Sequence, residues 1–84
     1  MLSLHETQPM HKPSVLAVHY ARLYGALECY AVRMADGTLR LVDHDAHVYA
    51  LAPEHAAAVT LLAAVSGVER ANVLAALAQC EGVA

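Results

Sequence analysis

Eighty-four residues are enough for one domain and too few for two. The composition is 58% hydrophobic and 15% charged, against about 25% charged in an average soluble domain. More apolar side chain is present than one small core hides, and the excess points to a protein interface and to a homo-oligomer, most simply a dimer.

The formal charge is −3, and Lys12, Arg22, Arg33, Arg40 and Arg70 are spread along the chain. No basic run is available to neutralise phosphates, which weighs against nucleic acid. The sequence opens without a basic segment followed by an apolar one, and no run approaches about 18 apolar residues. The expectation is a cytoplasmic protein that does not span a membrane. Cys29 and Cys80 make no CxxC pair, so they read as reduced thiols.

Residues 1–13 mix histidine, proline and polar residues without a period and read as a flexible arm ahead of a single α+β domain over 14–84. Residues 15–51 carry the β-branched and aromatic texture of an antiparallel meander of three to four strands. A three-residue loop Tyr24-Gly25-Ala26 pairs Arg22 with Glu28, Tyr20 with Tyr30, Val18 with Val32 and Leu16 with Met34, all favourable cross-strand neighbours. A helix over 15–24 is the rival, because Leu16, Tyr20, Leu23 and Leu27 also fit a 3.6-residue period.

Asp36-Gly37 predicts a two-residue type I′ hairpin. Counted from that loop, Arg33 faces Arg40 and Val32 faces Leu41, whereas a three-residue loop would set Val32 opposite Arg40. Residues 46–51 predict a fourth short strand. Pro53 then predicts the start of a first helix, 53–65, and Ser66 with Glu69 makes a capping-box pattern for a second, 69–80. Both helices are apolar on more than one side and are expected to pack on one face of the sheet.

The chemistry-bearing residues are few. Asp43-His44-Asp45-Ala46-His47 is a His-x-x-His flanked by carboxylates, and His44 and His47 are weak candidate metal ligands, since no further ligands stand at diagnostic spacings. No GxGxxG or GxxxxGK loop occurs. Cys29, Cys80, Ser3, Ser14 and Ser66 fall in no nucleophile motif. Neither an enzyme nor a cofactor is expected.

The paired Arg33 and Arg40, with His19 beside them on the outer sheet face, are the candidate partner-binding residues, because two guanidinium groups set side by side repel unless an acidic partner lies between them. Tyr20, Tyr30 and Tyr49 are expected to pack under the helices. The function expected is a small non-enzymatic protein-binding module, a regulator or inhibitor that occludes or bridges a larger protein partner as a homodimer. A metal- or small-ligand-binding regulator and a dimeric nucleic-acid-binding regulator are the alternatives.

Overall fold

The computed structural model describes residues 14–80. The arm expected over residues 1–13 lies outside the described residues.

Two turns organise the first three strands. Tyr24 and Gly25 both take positive φ, 54° and 72°, and the Ala26 N–H donates to the Leu23 carbonyl at 3.1 Å. This joins β1 (Val15–Leu23) to β2 (Leu27–Met34) as an antiparallel hairpin. Residues 15–23 are therefore strand, not helix, and the pairs Arg22 with Glu28, Tyr20 with Tyr30 and Val18 with Val32 stand as the sequence predicts. One pair differs. Val15, not Leu16, lies opposite Met34, because a bulge at Leu16 shifts the register and leaves that side chain 58% exposed.

The second turn departs from expectation. β3 (Leu39–Val42) pairs with β2 so that Val32 faces Arg40 and Arg33 faces Leu39. The loop is thus three residues, Ala35-Asp36-Gly37, closed by the Gly37 N–H on the Met34 carbonyl at 3.0 Å and the Met34 N–H on the Thr38 carbonyl at 2.9 Å. Gly37 alone of the three takes positive φ, 90°, which is the arrangement of a turn ending in a left-handed residue rather than a type I′ pair. Asp36 decides it locally. Its carboxylate accepts the Thr38 N–H at 3.0 Å and the Thr38 hydroxyl at 2.6 Å, an Asx-type contact made without a left-handed backbone.

β4 (Val48–Ala50) adds to β3, shorter than the 46–51 expected. Pro53–Ala58 then forms a 3-10 helix that carries the chain past the first turn, where the Tyr24 N–H donates to the Ala58 carbonyl at 2.8 Å. The second half of the predicted 53–65 helix is instead a strand, β5 (Val59–Ala64), antiparallel to the outer edge of β1. β1 offers that edge a full row of donors and acceptors, and β-branched Val59 and Thr60 suit a pleated ladder better than their alanine neighbours suggest. One helix follows, α1 (Gly67–Cys80). The result is a five-stranded sheet in the order β4-β3-β2-β1-β5 with one C-terminal helix, an α+β fold with one strand more and one helix fewer than predicted.

Side chains alternate across the sheet. On one face Val18, Val32, Met34 and Val42 pack with Val65 and with Val73 and Leu77 of α1. On the other, Ala21, Cys29, Ala31 and Leu41 form a second cluster fenced by Leu23, Leu51 and Val59. No described helix covers that second face, and none is long and apolar enough to cross a membrane.

Candidate functional site

The uncovered face holds an apolar groove. Leu23 and Leu27 close the β1–β2 turn as a direct pair, Leu41 lies opposite Tyr49, and Leu51 follows β4. With Cys29 at the floor they line a groove of about 470 Å3. Leu27 and Tyr49 form its rim, 64% and 52% exposed. Tyr49 does not pack under the helix as expected: its strand position places it on the opposite face, with its hydroxyl 3.3 Å from Asp43 Oδ2. That carboxylate pushes the Tyr49 hydroxyl above its ordinary value. Burial, and then Asp43, raise the Cys29 thiol, which makes it a poor nucleophile.

The three predicted partner-binding residues are divided by the register. His19 lies opposite Ala31, and Arg33 lies between Ala17 and Leu39, so both belong to the open face, at the end away from the groove. Arg40 lies opposite Val32, on the helix side, where its Nη1 donates to Thr38 Oγ1 at 2.9 Å. The two guanidinium groups therefore do not face each other across the ladder. The mutual repulsion expected of them does not arise, because the extra loop residue turns β3 over relative to β2. His19 Nε2 is buried and finds no hydrogen-bond partner among the described residues.

The histidine motif is also separated. His44 turns to the helix side and stands edge-on to Tyr30, with ring centroids 5.7 Å apart. His47 remains with Asp43 and Asp45, whose ligand atoms all fall within 4.8 Å. The Asp43 carboxylate already serves the loop. Its Oδ1 accepts the N–H groups of Asp45 and His47, each at 2.9 Å, and Oδ2 lies 3.4 Å from His47 Nδ1. These backbone donors, that of His47 first, hold Asp43 below the usual carboxylate range. The cluster closes the turn between β3 and β4 with Ala46 at a φ of 66°.

A third feature escaped sequence reasoning. Tyr20 and Tyr30, paired across β1 and β2 with rings 5.7 Å apart, both donate their hydroxyls to the Glu69 carboxylate, Tyr30 at 2.6 Å. Glu69 had pointed to a capping box. Its side chain instead reaches the sheet and ties the first turn of α1 to it. The bonds lower Glu69 and raise both tyrosines, Tyr30 to about 12. Shallow clefts of about 180 and 350 Å3 flank this tie, sharing Tyr30, His44 and Glu69. Both carboxylate oxygens are engaged, and the cluster fastens α1 to the sheet.

Arg22 meets Glu28 at 3.6 Å, and Arg33 and Arg40 lie on opposite faces of the sheet, so these three arginines do not line up as a phosphate-binding stripe. No family model, no curated protein and no solved structure matches the chain.

Proposed function

We propose that the protein is a small non-enzymatic protein-binding module, a regulator or inhibitor that docks an apolar segment of a larger partner on its open sheet face. The observation that carries this reading is the groove lined chiefly by Leu23, Leu27, Cys29, Leu41, Tyr49 and Leu51 on a face that no described helix covers. Four leucines, Cys29 and Tyr49 make most of its lining apolar, and the Glu28 and Asp43 carboxylates add a polar edge, the composition of an interface centre with its rim. Cys29 lines the groove, and burial together with the Asp43 charge raises its thiol, which weakens it as a nucleophile.

Each large apolar side chain taken from partial exposure to burial contributes on the order of 1–2 kcal/mol, and ordering two molecules costs several times that. A partner must therefore fill most of the groove, not one position. Arg33, exposed on the face beyond it with His19 as a neighbour, would meet the rim of such a partner, where charge governs orientation more than affinity.

The test compares capture of partner proteins from host lysate by the wild type, by Leu27→Asp on the groove rim, and by Arg40→Ala on the helix side. Leu27→Asp should weaken a stoichiometric partner's binding by about 2 kcal/mol, roughly thirtyfold. Arg40→Ala should leave it intact. Equal binding by all three proteins would move the contact surface away from the groove.

A further inference from the structure

We infer that β5 is the seat of homodimerisation, pairing antiparallel with β5 of a second copy to join two sheets edge to edge. This deepens the protein-binding reading by assigning the dimer its own surface, separate from the groove.

The two edges of the sheet are built differently. β4 is three residues long and is approached through Asp43, Asp45 and His47 and left through Pro53, so shortness, charge and proline blunt it. β5 is six residues, Val-Thr-Leu-Leu-Ala-Ala, and every residue after Val59 is exposed. It contains no charge and no proline. The pairing with β1 satisfies one side of its backbone, and among the described residues no strand pairs the N–H and C=O groups of the other side, which a further strand fits. The β1–β5 ladder shifts register at Leu62, which lies between the pairs Tyr20 with Ala63 and Ala21 with Leu61. Leu61 and Leu62 are left 41% and 48% exposed, and Val68, just past the strand in the first turn of α1, is 78% exposed.

The chemistry selects a second copy as the occupant. About a two-fold axis each residue near the centre of an antiparallel pair meets itself or a near neighbour from the same strand. A central lysine or glutamate would then face its own like charge and repel it. β5 has none, so self-pairing meets no electrostatic penalty and sets leucine and alanine against leucine and alanine. Closure follows from the other edge. Once two β5 strands pair, both outer edges of the joined sheet are β4, which is too short to propagate the ladder, so assembly stops at two copies.

The full chain, measured by light scattering across a concentration series, should give twice the 8.9 kDa monomer mass at high micromolar concentration. Thr60→Lys/Leu62→Lys, at exposed positions, should keep the circular dichroism spectrum of the wild type and weaken association at least tenfold, with Leu27→Asp still dimeric. A wild-type monomer, an undiminished dimer in the double lysine variant, or loss of the dimer in Leu27→Asp alone would each overturn the assignment. Amide exchange in the wild type provides a reading independent of any variant. Protection within residues 59–64 should rise with concentration, and concentration-independent exchange there would overturn the assignment as well. The groove reading is judged separately, by partner capture with Leu27→Asp, so either reading can fail without the other.

Discussion

Tyr30, in the middle of β2, donates its hydroxyl to the Glu69 carboxylate in the first turn of α1 at 2.6 Å, linking two residues 39 positions apart. Tyr20 donates to the same carboxylate from β1. The helix start is thereby anchored to both strands of the first hairpin, alongside the apolar contacts of Val73 and Leu77 further along.

This tie gives a pH dependence at both ends of the scale. Glu69 is held below its ordinary value of 4.5, by Tyr20 first and Tyr30 second. Its contribution is therefore complete above that value and is lost as pH falls through the lowered one. Tyr30 is raised from 10.0 to about 12, chiefly by the bond to Glu69. Being neutral in the tie, it supports the fold below pH 10 and ceases to between 10 and about 12. Tyrosinate absorbance should show Tyr30 ionising near its raised value of about 12, with Tyr20 and Tyr49 also ionising above the ordinary tyrosine value. Glu69→Gln should bring the Tyr30 midpoint back toward 10 and flatten the acid limb of urea midpoints against pH. An unchanged tyrosinate curve in Glu69→Gln would mean that the bond does not form in solution.

Gly37 has open space around the position of a Cβ, so a side chain there meets no clash, but its φ of 90° strains any L-residue. Gly37→Val should destabilise by about 1–2 kcal/mol, and Gly37→Asn by less, because asparagine visits left-handed backbone more readily. Denaturant midpoints of the two variants check this. Equal midpoints for valine and glycine would contradict the three-residue loop.

The two cysteines should differ sharply toward a thiol reagent. Cys80 is exposed, while Cys29 is 9% exposed at the floor of the groove with its thiol raised by burial and by Asp43. Cys80 should react faster by roughly tenfold or more, with Cys29 labelled chiefly after denaturant opens the sheet. Peptide mapping by mass spectrometry after timed labelling distinguishes the sites. Comparable rates would show that the groove floor is open to solvent.

Local chemistry in the sequence determined the first hairpin. Tyr24-Gly25-Ala26 offered one short loop, and Arg22 with Glu28, Tyr20 with Tyr30 and Val18 with Val32 all agreed with it, so turn and cross-strand pairs pointed to one register. The last helix was legible as well, although it begins at Gly67 rather than at 69 and Glu69 serves the sheet instead of the expected capping box. The alternation of β1 and β2 likewise put His19, Ala31, Cys29 and Arg33 on one outer face, but Arg40 and Val42, read onto that face too, lie on the helix side.

The second hairpin was not, because β3 is apolar at both parities. Leu39 and Leu41 fit one face and Val42 the other, so hydrophobic pattern could not choose between loops differing by one residue, and the hydrogen bonds of Asp36 and Gly37 chose instead. Residues 59–64 likewise read as an alanine-rich helix in isolation. They are a strand because β1 has an edge to pair with, a condition set by residues more than 35 positions away. The groove and the Tyr20–Glu69–Tyr30 tie depend on the same kind of long-range placement. Neither has a sequence spacing of its own, and each exists because the sheet brings together side chains that the chain keeps apart.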